Sequence, residues 1–153
     1  MKKFIFKLQR VLEMRQEAVD EAQNYLENCR KVVSELRRLL NEQRDAYISE
    51  RDQLNDAIRA GECFKYATFE QSLEIRKARM LELLQAIRVA EQDVEIAEQH
   101  LLACRRKLKI MENFRDKKAS EHIQGEEAKE RKFLDEQATL RHQRVAFDDS
   151  RDR

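Results

Sequence analysis

A chain of 153 residues in which 40% are charged, 7% are aromatic, two are glycine and none is proline has too few turn-formers for an all-β or α/β domain, and points to long helices or a coiled coil. Its formal net charge of +1 gives no global attraction to nucleic acid or to an anionic membrane. Three cysteines without CxxC spacing suit reduced thiols, not a disulfide framework or a zinc site. The opening Met1-Lys2-Lys3-Phe4-Ile5-Phe6 starts like a signal peptide, but Lys7, Gln9 and Arg10 end the apolar run early. No apolar run is long enough to span a bilayer.

The first predicted helix, from about 5 to 60, carries a strict seven-residue repeat. Ile5, Leu12, Val19, Leu26, Val33, Leu40, Tyr47 and Leu54 form one uninterrupted line. Neighbouring lines run through Val11, Ala18 and Tyr25, and through Ala22, Cys29 and Leu36. An ideal helix drifts about 20° per heptad against such a repeat, so the stripe keeps to one face only in a left-handed supercoil. The opposite face is charged, with Arg30, Arg37, Arg44 and Arg51 on one line. At 1.5 Å per residue this arm is on the order of 80 Å long.

The repeat then breaks at 61–67. Gly61 can take the left-handed conformation that closes a helix C-terminus. Thr68 and Gln71 have the spacing of a capping box that would start the next helix. A stop followed so soon by a start folds the chain back on itself. The expected fold is therefore all-α: a single long two-helix antiparallel coiled-coil hairpin over 1–145.

In the second helix, expected from about 68 to 142, Leu73, Met80, Ile87, Val94, Leu101 and Leu108 form one line and Leu83, Ala90, Ala97 and Cys104 its neighbour. Each arm supplies half of a seam that neither could bury alone. Folding about the break pairs the start of the first helix with the region near Ser120, so the second helix overhangs. Apolar spacing thins beyond Met111, Gly125 weakens the helix locally, and 146–153 reads as a disordered tail. Polar residues enter the seam at Arg15, Gln43, Glu50, Gln53 and Arg76. They either fix register or, being mostly near the turn, loosen it enough to free Tyr47, Phe69 and Leu73 for a partner.

Catalytic signatures are missing. His100, His122 and His142 show no zinc-ligand spacing, and there is no glycine-rich phosphate loop and no nucleophile motif. Carboxylates on exposed helical faces are ordinarily solvated or paired one turn away. We expect no enzyme and no cofactor. The scattered bases near the N-terminus do not form the continuous basic run of a bZIP reader, which argues against nucleic acid.

Two terminal stretches carry a family resemblance. Phe4-Ile-Phe-Lys-Leu-Gln-Arg-Val-Leu-Glu-Met-Arg15, followed by the acidic-alanine run Glu17 to Ala22, resembles the N-terminus of flagellar FliJ proteins. Glu130-Arg-Lys-Phe-Leu-Asp-Glu-Gln-Ala-Thr-Leu-Arg141 is similar to the family's C-terminal signature. The resemblance covers essentially the whole chain.

It implies a non-enzymatic stalk and escort protein of the flagellar type III export apparatus, resembling the gamma-subunit coiled coil of ATP synthase. Its partners would be the hexameric export ATPase, whose ring receives the terminal end, and the membrane export gate. Some members also bind export chaperones. The location implied is cytoplasmic, peripheral at the cytoplasmic face of the inner membrane. By resemblance, Asp135, Glu136 and Arg141 fall in the ring-contacting signature. Phe69, Leu73 four residues later and Tyr47 match a gate-contacting patch near the turn; the family often has a further aromatic where this chain has Gln43. An injectisome stalk protein, or a generic coiled-coil adaptor, is the alternative.

Overall fold

The computed structural model describes residues 2–151, and among them there is no strand. Helix α1 spans Gln9–Arg59, a single 3-10 turn spans Cys63–Lys65, and helix α2 spans Tyr66–Arg151. The chain divides into two compact units, Glu17–Arg105 and Met1–Gln16 with Arg106–Arg153.

In the unit Glu17–Arg105 the two helices bury the stripes that their sequences carry. Val19, Leu26, Val33 and Leu54 of α1 are buried, as are Leu73, Leu83, Ile87 and Leu101 of α2. Ala22, Ala57, Ala90 and Ala97 are also buried, and their small side chains let the helix backbones approach. Leu40 and Val94, on the same lines, are half-buried. Two cross-helix ion pairs record the direction and register: Arg30 with Glu98 at 3.0 Å and Arg37 with Glu91. A step of seven residues forward on α1 is matched by seven backward on α2, as antiparallel pairing requires. Both pairs are about half exposed, so they mark the register more than they stabilise it.

The turn closes as its glycine predicts. Gly61 has φ +79°. Its N–H donates to the Ile58 carbonyl at 3.1 Å, and the Glu62 N–H donates to the Ala57 carbonyl at 2.9 Å. That pair of bonds is the Schellman arrangement, which satisfies carbonyls that the end of α1 leaves without partners. The expected capping box does not form. The 3-10 turn runs straight into α2 at Tyr66, so Thr68 and Gln71 already lie inside the helix, where Thr68 has no free end to cap.

In the other unit the N-terminal residues are a strap and not the start of a helix. Residues 3–6 have no regular structure, and α1 begins only at Gln9. Successive side chains of an extended chain point to opposite sides. Phe4 and Phe6 accordingly face α2, Phe4 against His122 (ring centroids 5.7 Å) and Phe6 against Phe114 (6.0 Å). Ile5, placed by its seven-residue spacing at the head of the seam, lies between them and is 79% exposed. The strap is pinned at its tip. The Lys2 N–H donates to Glu126 at 3.4 Å, and the Lys2 carbonyl lies 2.8 Å from His122 Nε2.

Beyond Glu126, α2 has no cover: every residue from 127 to 151 is exposed. The helix nevertheless runs unbroken through Gly125 and on to Arg151. The tail expected to be disordered from 146 is thus helical through Arg151; Asp152 and Arg153 lie outside the described residues. Good helix formers such as Lys129, Glu130, Leu134, Glu136, Gln137, Ala138 and Arg141 keep it wound.

The two glycines predict opposite outcomes. Gly61→Ala places a Cβ on a left-handed residue and should destabilise the chain by about 1–2 kcal/mol. Gly125→Ala meets nothing within 4 Å and should stabilise the helix by about 0.5–1 kcal/mol. Urea unfolding of the two variants measures both signs.

Candidate functional site

The seam near the turn is polar in its middle. Glu50 of α1 is held on both carboxylate oxygens: Arg76 Nε donates to one at 2.8 Å and Ser72 Oγ to the other at 2.8 Å. Arg76 also donates to the Gln43 side-chain carbonyl at 3.1 Å. The Arg76 hydrogen bond, then that of Ser72, holds the Glu50 carboxyl below its ordinary range. Three of the five polar seam residues thus satisfy one another across the helices. A shift of one helix past the other would part charged, half-buried partners, so this network fixes register. Of the other two, Arg15 and Gln53 are exposed.

The three candidate residues near the turn do not share one degree of access. Leu73 is buried at 8% exposure, while Tyr47 and Phe69 are half-buried. Lys77 Nζ lies 5.9 Å from the centre of the Tyr47 ring, a cation–π contact. Phe69 lines an open cleft with Glu50, Phe64, Lys65 and Ser72. Phe64 was missed by sequence reasoning. It is 80% exposed, the most exposed large apolar side chain among the described residues, and Tyr66 beside it is 46% exposed. Its signal was its position: an aromatic within the break belongs to no seam line and so has no partner assigned.

The terminal candidates stand on the bare stretch of α2. Asp135, Glu136 and Arg141 are exposed and form no ion pair among the described residues. Beyond the helix's own backbone bonds, the Asp135 backbone carbonyl also accepts from the Thr139 hydroxyl at 2.9 Å. At about 100° per residue the three side chains leave the helix in three directions. They form no single charged patch; they surround the helix.

Contrary to the expectation for the histidines, one pair does have ligand-like spacing. His100 and Cys104 stand one turn apart on α2, with Nε2 3.6 Å from Sγ. A third ligand is lacking, and no group of three or more potential ligands occurs among the described residues.

The flagellar FliJ protein family matches residues 3–146. The chain belongs to the flagellar FliJ family. Membership places this FliJ-family chain in flagellar protein export. Among curated proteins and among solved structures, nothing matches it. No helix among the described residues is long and apolar enough to cross a membrane.

Burial divides the turn residues of this FliJ-family chain by what their removal does to stability. Leu73→Ala should lower unfolding free energy by about 2–4 kcal/mol, as for other buried leucines. Phe64→Ala should change it by less than about 0.5 kcal/mol. Thermal or urea unfolding checks the pair, and equal losses would show that the aromatic is packed.

Proposed function

We propose that this chain is a non-enzymatic stalk and escort protein of the flagellar export apparatus, which binds and stimulates the hexameric export ATPase through the terminal part of α2 and meets the membrane export gate through the turn. The observation that carries the reading is the bare helix 127–151 in a chain of the FliJ family. It holds Phe133, Leu134, Leu140, Val145 and Phe147 half or more exposed. A helix that keeps such side chains in water without support from folding has a reason outside its own fold.

The distribution of charge fits an enclosing partner. Asp135, Glu136 and Arg141 point to different sides of the helix, so a flat surface could engage only some of them. A ring that surrounds the helix meets all three. Binding there favours the closed hexamer, and hydrolysis rises because the closed form completes its sites. Operation at the cytoplasmic face of the inner membrane follows from the same reading, with export chaperones as further partners.

At the turn, the half-buried Phe69 and Tyr47 supply aromatic surface for the gate, and Leu73, buried in the seam, holds α2 in place beside it. Phe64 extends the same surface. Aromatic anchors of this sort carry much of the energy of an interface.

The purified chain should raise the hydrolysis rate of its cognate export ATPase. A chain ending at Lys129 keeps the strap contacts to His122 and Glu126 but loses the bare helix. It should lose the stimulation while retaining the helicity of the remainder. Stimulation unchanged by that truncation would refute the placement of the ring contact.

A further inference from the structure

The bare helix carries a pattern that a ring contact does not require. Its apolar line is Phe133, Leu140 and Phe147, spaced by seven and exposed at 59%, 50% and 62%. Its charges come in four blocks of alternating sign. Residues 129–132 hold three bases against one acid, net +2; residues 135–136 hold two acids, net −2. Residues 141–144 hold Arg141 and Arg144, net +2, and residues 148–151 hold two aspartates and Arg151, net −1, with Arg151 lying over the Phe147 ring.

That order is complementary to its own reverse. If a second identical helix lies antiparallel with its midpoint near Leu140, each basic block faces an acidic one. The same placement sets Leu140 on its copy and Phe133 beside Phe147 of the second copy. Parallel pairing in register would instead set every block against its like, which is strongly disfavoured. The charges are available for this. Lys129 and Arg131 pair one turn away on their own helix, Lys129 with the mostly covered Glu126 and Arg131 with the half-exposed Glu127. Both basic side chains stay about three-quarters exposed, and such same-helix pairs are weak. Among the described residues Lys132, Asp135, Glu136, Asp148 and Asp149 form no ion pair.

We propose that residues 129–151 are a self-association surface, on which a second copy of this chain packs antiparallel to bury the Phe133, Leu140 and Phe147 line. The pairing does not depend on the ring reading, but it uses the same helix. A chain paired in this way cannot offer that helix to another partner, so self-association acts as a store of chain withheld from the ATPase. The partner is recognised through charge order along the helix, with the apolar line supplying the contact. High salt, which screens exposed charges, therefore weakens the pair.

The test is the molar mass of the full-length chain by sedimentation equilibrium, over a range of concentrations at low and high salt. The native chain should show a monomer–dimer equilibrium that salt weakens. Arg131→Glu with Lys132→Glu, and separately Asp148→Lys with Asp149→Lys, should each weaken the dimer at least about tenfold. All four substitutions in one chain restore unlike charges in the antiparallel pair and leave like charges facing in a parallel one. That chain should therefore regain the dimer. Circular dichroism should show equal helicity throughout, as all four positions are exposed. A native chain monomeric at every concentration overturns the proposal and leaves the helix to a different partner. A dimer indifferent to the paired substitutions, or one not regained by the fourfold chain, overturns it equally.

Discussion

A helix with one apolar face draws most of its stability in water from a second apolar face, and the burial along this chain follows from where that second face is available. Isolated helices are marginal because nucleation is costly and each hydrogen bond returns little. In the unit Glu17–Arg105, leucine and valine lines alternate with alanines, and the two helices bury them against each other. Exchange of one buried leucine for alanine there removes contacts worth several times the exposed ion pairs beside it. The Glu50–Arg76–Gln43–Ser72 network chooses among registers that the apolar contacts alone would tolerate.

Where the second face ends, the chain changes its means of covering α2. The strap Lys2–Phe6 does this with an extended segment, which advances about 3.3 Å per residue against 1.5 Å for a helix. A few strap residues therefore reach from Phe114 to Glu126. After that the helix is held by its own propensity and by pairs such as Lys129–Glu126. Low local stability is the usual property of segments that bind partners. An exposed helix already wound in its binding conformation also avoids the ordering entropy that a disordered tail would lose on binding.

Much of this was written in the periodicity. The seam lines, the antiparallel fold and the closing role of Gly61 follow from seven-residue spacing and from one glycine in a helical sequence. The strap did not, because Ile5 lies seven residues before Leu12 and a periodic reading extends the helix to include it. The competing signal was the alternation Phe4-Ile5-Phe6, too short to outweigh the longer pattern. The Thr68 box failed because the sequence shows the spacing of a cap but not where the helix begins. Residues 146–151 appeared as a tail because their composition is charged and aspartate-rich, although one more turn of an established helix needs little from each residue. Among the candidate residues the sequence placed Tyr47, Phe69 and Leu73 together but could not rank their access. That depends on which side of a seam position faces the partner helix. Phe64 lay outside any pattern and so outside the reading.

The central claim is that folding covers α2 as far as the strap reaches and no further, leaving a wound but unsupported helix for partners. Amide hydrogen exchange along α2, measured on the full chain dilute enough to be monomeric, tests it most directly. Protection should be high over the buried seam residues of Glu17–Arg105, persist to the strap's last contact at Glu126, and fall by orders of magnitude from 127 to 151. Slow exchange continuing undiminished to Arg151 in the monomer would contradict the account.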